Sequence, residues 1–125
     1  MNHPIISIAV DAMGGDQSPN KVIKGCEIFL NKNKNVKLII FGNENLIDNH
    51  FLQKYSEMIT IIHCDEIISD NDKPSSILRS KKESSMRKAI EFIKSKKNIG
   101  FVSAGNTGAV TVLSKIILGA LNNIK

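Results

Sequence analysis

The chain has no tryptophan, one tyrosine and only 5% aromatic residues. A core of stacked rings is therefore excluded, and the 42% of hydrophobic residues, mainly Ile, must fill it with aliphatic side chains. Cysteine is equally scarce. Cys26 and Cys64 stand far apart with no Cys-x-x-Cys spacing, which argues against a disulfide scaffold and a zinc ribbon. Cys26 falls on the apolar side of a predicted helix and reads as a packed thiol. His63-Cys64-Asp65-Glu66 holds metal-capable residues, but consecutive positions do not converge on one ion, so no metal is expected. Of 17 basic residues only Arg79 and Arg87 are arginine. The net charge of +5 thus fits an acidic protein or an anionic membrane surface better than nucleic acid, whose readout favours arginine. The Walker pattern and Gly-x-Gly-x-x-Gly are both absent. No secretory signal and no apolar run of membrane-spanning length is present, so a cytoplasmic location is expected. No repeat, linker or low-complexity block divides residues 1–125, which read as a single domain.

What is present is an alternation of strand and helix patterns. Ile5–Val10 reads as the first strand. Ser18 is placed to cap a helix with Pro19 at its first position and Val22, Cys26, Phe29 and Leu30 on one face. Val36–Phe41 is a second strand, ended by Gly42. Asn43 is expected to cap a helix presenting Leu46, Ile47, Phe51 and Tyr55. Ile59–His63 is a third strand, and Pro74 starts a short helix through Leu78. Ser84 or Ser85 caps a helix whose inward face is Met86, Ala89, Ile90 and Ile93, and Asn98 suits a left-handed turn after it. Ile99–Val102 is a fourth strand. A last helix starts near Thr107, carries Val110, Leu113, Ile117 and Leu121, and is apolar on much of its surface. Such a helix calls for a covering partner or further chain. Near-continuous apolar strands joined by helices define an α/β fold with a parallel sheet covered on both faces. Ligands in such sheets lie beyond the carboxyl ends of the strands.

Two glycine-bearing turns sit at such ends. Asp11-Ala12-Met13-Gly14-Gly15-Asp16 follows the first strand, and Ser103-Ala104-Gly105-Asn106-Thr107-Gly108 follows the fourth. A strand that ends in small residues and opens a helix aims backbone N–H groups at the positive end of the helix dipole, which is an anion site. The same glycines also permit a plain tight turn. Asn106 offers an amide donor and Thr107 a hydroxyl, and either can instead cap the last helix. Asp16 suits a helix cap, while Asp11 can fix its loop by accepting backbone N–H groups or by pairing with a lysine. A third constellation is Arg79-Ser80-Lys81-Lys82-Glu83-Ser84-Ser85. It reads either as a solvated turn before a capped helix, or as a place where Lys81 or Lys82 neutralises an anion while Ser84 and Ser85 donate hydrogen bonds.

These three segments, in this order and spacing, resemble the PlsX-type phosphate acyltransferases, bacterial enzymes of phospholipid synthesis. The resemblance covers essentially all 125 residues but only the amino-terminal part of the family's length. It implies a Rossmann-like three-layer α/β/α sandwich, similar to phosphotransacetylases and isocitrate dehydrogenase-like enzymes, here incomplete. It implies transfer of a fatty acyl group from acyl-acyl-carrier-protein to inorganic phosphate, giving acyl phosphate. No cofactor is implied. A homodimer is, in the cytoplasm, with peripheral contact at the inner face of the membrane and no nucleic-acid partner. Phosphate is then the nucleophile. Asn106, Lys82 and Asp11 are the candidate catalytic residues. Gly14, Gly15, Asp16, Lys81, Ser84, Ser85, Ser103, Gly105, Thr107 and Gly108 are the candidate phosphate and substrate contacts. A short-chain phosphotransacetylase, a non-catalytic phosphate- or nucleotide-binding module and a fragment without function remain open alternatives.

Overall fold

Six residues, Ile6–Asp11, form β1, and their alternation decides what each face of the sheet becomes. Val10 belongs to a core cluster with Ile23, Cys26 and Leu30 of helix α1 (Asn20–Lys32). Ala9 belongs to a cluster on the opposite face with Ala89 of helix α4 (Ser85–Ser95). The protein is described by a computed structural model covering residues 5–77, 79–96 and 98–119.

Among these residues β1 is joined by β2 (Val36–Gly42), β3 (Ile59–His63) and β4 (Ile99–Ser103) in one sheet of order β3-β2-β1-β4. All three pairings are parallel. This is a Rossmann-like α/β arrangement. Helix α2 (Asn49–Lys54) shares α1's side, where Phe51 joins the first cluster. Helices α3 (Pro74–Ile77), α4 and α5 (Thr107–Ile117) share the other, where Ile77, Met86, Ile90, Ala109 and Leu113 pack together. The chain builds outward from β1 to β3, then crosses back to lay β4 on β1's free side. That reversal is a topological switch point, and its crevice opens at the carboxyl ends of β1 and β4.

Several local expectations change. The first strand runs one residue later than expected and takes in Asp11, while the fourth takes in Ser103. Pro19 occupies the N-cap position of α1, and no side chain caps that helix. The Ser18 hydroxyl turns back instead to the carbonyls of Gly14 and Gly15. Asp16 is exposed and does not cap α1. The single helix expected after Asn43 is two elements. Asn43 caps a 3₁₀ turn, Glu44–Leu46, and Asp48 caps α2. Leu46 is consequently exposed, whereas Ile47, Phe51 and Tyr55 are buried. Helix α5 stops at Ile117, and Gly119 follows it with φ +82°, a left-handed value suited to closing a helix. Leu78 and Leu121 lie outside the described residues.

Candidate functional site at the switch point

The last residues of β1 and β4, Asp11 and Ser103, are register partners. Their side chains point to the α4 side of the sheet. The Ser103 hydroxyl donates to Asp11 Oδ2 at 2.8 Å. From the start of α4, the Ser85 hydroxyl donates to Asp11 Oδ1 at 2.6 Å. The backbone N–H of Met13 donates to the same oxygen at 3.1 Å. Asp11 is 1% exposed. One buried carboxyl group therefore ties together all three segments that stood out in the sequence. It does so by accepting hydroxyl and amide protons, with no lysine as partner among the described residues.

Glycine lets the two turns touch. A Cβ on Gly14 would lie 2.7 Å from both Cα and N of Gly105, so the backbones are in direct contact. Gly15 has φ +84°, and a Cβ there would meet the Ala104 carbonyl oxygen at 2.9 Å. The turn after β4 is held internally as well. Gly105 N donates to Ser103 Oγ at 3.1 Å. Asn106 Oδ1 caps α5 by accepting from Ala109 N at 3.1 Å. Its Nδ2 donates to the carbonyls of Ser69 and Asp72, each at 3.0 Å. Asn106 is thus both helix cap and loop tether. Gly108 faces Pro74, whose Cγ would be 2.6 Å from an added Cβ. Thr107 is exposed at the first position of α5.

The lysines differ. Lys81 has φ +55° and its Nζ lies 3.0 Å from the Ile67 carbonyl and 3.9 Å from Asp72. Lys82 is exposed and makes no ion pair among the described residues. Ser84 caps α4 by accepting from Arg87 N at 3.1 Å. Glu66, which the sequence offered only within the metal-capable run His63–Glu66, takes a structural role instead. Its side chain accepts from Glu83 N at 2.7 Å and its carbonyl from Ser85 N at 3.2 Å, which fixes where α4 begins. No spacing or motif marks it for that role. The neighbouring His63, Cys64 and Asp65 go separate ways. His63 Nε2 bonds Asp65 at 2.7 Å, while Cys64 is buried with its thiol toward the Ile62 carbonyl.

Two hollows meet at this edge and share Gly15 and Asp16 as a lip. A polar cleft of about 360 Å³ lies between residues 13–18 and residues 67–70. A groove of about 510 Å³ runs between α1 and the strands β1 and β4. Burial pushes the thiol of Cys26, in the groove, up to about 11. Cys64 is raised to about 11 chiefly by the same cause, partly offset by Lys88.

A parallel sheet with paired glycine turns at its switch point defines the chain as an α/β protein with a crevice at the carboxyl edge. The particular kind follows from comparison with known proteins. The chain belongs to the fatty acid synthesis protein family, which it matches over residues 6–125. It is 47% identical over 127 residues to a phosphate acyltransferase of Ehrlichia canis, covering 97% of this chain and 37% of that protein. The phosphate acyltransferase of Halothermothrix orenii is 44% identical over 121 residues, 94% of this chain and 36% of that protein. That of Clostridium tetani is 41% identical over 95% of this chain and 36% of its own length. The chain thus spans little more than a third of the length of these relatives. Among the described residues no helix is long and apolar enough to cross a membrane.

Proposed function

We propose that the chain carries the phosphate-handling part of an enzyme that moves a fatty acyl group from acyl-acyl-carrier-protein to inorganic phosphate. A phosphate oxygen attacks the thioester carbonyl carbon. The tetrahedral oxyanion collapses, the C–S bond breaks, and acyl phosphate and the carrier's thiol leave. Phosphate is itself the nucleophile, so no Ser-His or Cys-His pair is needed. The protein must position the dianion about 3–3.5 Å from the carbonyl and supply fixed donors to the oxyanion.

The observation that carries this reading is the Asp11 hub. By drawing Ser85 and Ser103 onto one buried group it holds both glycine turns and the start of α4 in register. Asp11 then acts by positioning, hidden from an anion that it would otherwise repel. In this reading the phosphate sits where the Gly14-Gly15-Asp16 turn meets Gly105 and the first turn of α5. The amides and hydroxyl of Thr107 and Gly108 add the helix's positive end. Lys82 supplies mobile positive charge, and Lys81, Ser84 and Asn106 shape the loops. The enzyme works in the cytoplasm as a homodimer, in passing contact with the membrane's inner face. Exposed apolar side chains at the end of α5, Ile116 in its last turn and Leu118 just beyond it, support a covered surface there.

The test is incorporation of labelled phosphate into acyl phosphate in the presence of acyl-acyl-carrier-protein, with calorimetric phosphate binding alongside. Incorporation that falls in Asn106→Ala at saturating phosphate supports the reading. A chain that neither binds phosphate nor forms the product overturns it. Preference for acetyl-coenzyme A as donor would make it a short-chain phosphotransacetylase instead.

A further inference from the structure

We propose that the groove between α1 and strands β1 and β4 holds the alkyl end of the acyl substrate, with its reactive head at the Gly14–Gly15 lip. The proposal rests on the acyl-transfer reading above and adds the place where the chain lies.

The groove has one polar end. Asp11, Asp16 and Lys21 stand with Gly14, Gly15 and Ala104 at its mouth, and the remaining wall, from Ile8 and Val10 to Phe29 and Val102, is apolar apart from the Cys26 thiol. Its volume of about 510 Å³ is in the usual range of about 300–1,000 Å³ for small-molecule sites. From Val22 to Phe29 the wall follows seven residue steps of helix, roughly 10 Å at 1.5 Å per residue. A narrow apolar trough of that length, with hydrogen-bonding groups at one end only, suits an alkyl tail with a polar head.

Among the described residues this face is open at β4. Helix α1 covers β1 and β2, whereas Val102 of β4 is 55% exposed. Two glycines lie on this side. Gly25 lies in the middle of α1 and lines the groove. Gly100 lies inside β4 on the same face as Val102, opposite Ile8. Glycine weakens the interior of either element. Neither residue has a positive φ, and a Cβ on either would meet nothing within 4 Å. Backbone geometry and crowding therefore do not require them, and each opens the same side. The Cys26 thiol in the groove, raised to about 11 by burial, stays protonated near neutral pH and does not attack a neighbouring thioester.

Binding of inorganic phosphate and of methyl-, hexyl- and decylphosphonate to the chain, below micelle-forming concentrations, tests the proposal. Affinity is expected to rise up to about fourfold per added methylene until the groove is full. Gly25→Leu fills the space from the helix side and should abolish this gradient while leaving inorganic phosphate binding unchanged. Gly100→Val adds bulk beside Ile8 and Val102, which line the groove, and should weaken the gradient from the strand side; melting curves confirm that each variant folds. A wild-type affinity independent of chain length, or a gradient that survives both substitutions, overturns the groove and leaves the phosphate site standing. A gradient lost in Gly25→Leu without any binding of inorganic phosphate upholds the groove and overturns the phosphate site. Absence of all binding overturns both.

Discussion

At the scale of single residues, Asp11 concentrates the most consequence in the fewest atoms. Removing its carboxyl group strands two hydroxyls and a backbone amide in a buried setting, at about 1–3 kcal/mol for each group left unsatisfied. Asp11→Ala should therefore lower stability by at least about 2 kcal/mol, seen as a lower urea midpoint at unchanged slope. Asp11→Asn, which keeps an acceptor for Ser85 and Met13, should lose less. The two cysteines make a second prediction. Their thiols are raised to about 11 by burial, so the folded protein holds its protons to higher pH than the unfolded chain, which releases them near 9.0. That contribution to stability is complete below pH 9 and is lost as pH rises towards 11. Alkylation by iodoacetamide at pH 8 should be slow in the native state and fast in urea, because the thiolate is the nucleophile. Rapid native-state labelling of both would contradict the burial.

At the scale of elements, the starts of helices decide how the site is held. Asn106 caps α5 and tethers the segment around Ser69 and Asp72 with different atoms of one amide. Asn106→Asp keeps the cap and discards the tether. Its thermal stability should fall less than that of Asn106→Ala, which loses a cap worth about 1 kcal/mol. Limited proteolysis between residues 69 and 73 should accelerate in both variants. Equal cleavage of wild type and Asn106→Asp would show that the tether does not matter. Element by element, the sequence was readable wherever periodicity was strong. The four strands fall within a residue of expectation, and Ser84, Asn98 and Asn106 take the cap and turn roles their chemistry allows. Helix starts misled where two polar residues competed. Asn43 and Asp48 are each competent caps, and nothing local says that the chain uses both. Ser18 would have capped α1, but its hydroxyl found the carbonyls of the preceding turn first.

At the scale of the whole molecule, the strand order sets which parts open first. β1 is paired on both sides, with Val10 and Ala9 packed into core clusters on opposite faces, whereas β3 and β4 are the outer strands of the described sheet. Amide exchange should be slowest in β1, next in β2, and fastest in β4, whose α1-side face is bare. Comparable protection of β4 and β1 in the monomeric chain would argue that something covers that face. The convergence of the glycine turns was foreseeable, because parallel strands place their carboxyl ends along one edge. The ties across it were not. Ser85, Ser103 and Glu66 meet their partners across long stretches of chain, and no local pattern encodes a contact made only after the crossover.

Those ties have a consequence for how the protein comes to be competent. Asp11 is separated by 74 positions from Ser85 and by 92 from Ser103. A nascent chain that has laid down only β1, β2 and β3 has a sheet but no cradle. The two glycine turns meet only when β4 arrives, so on the reading proposed above an oxyanion ligand would recognise, and by mass action stabilise, only chains that have laid β4 on β1. On that reading, ligand capture would be a checkpoint on topology.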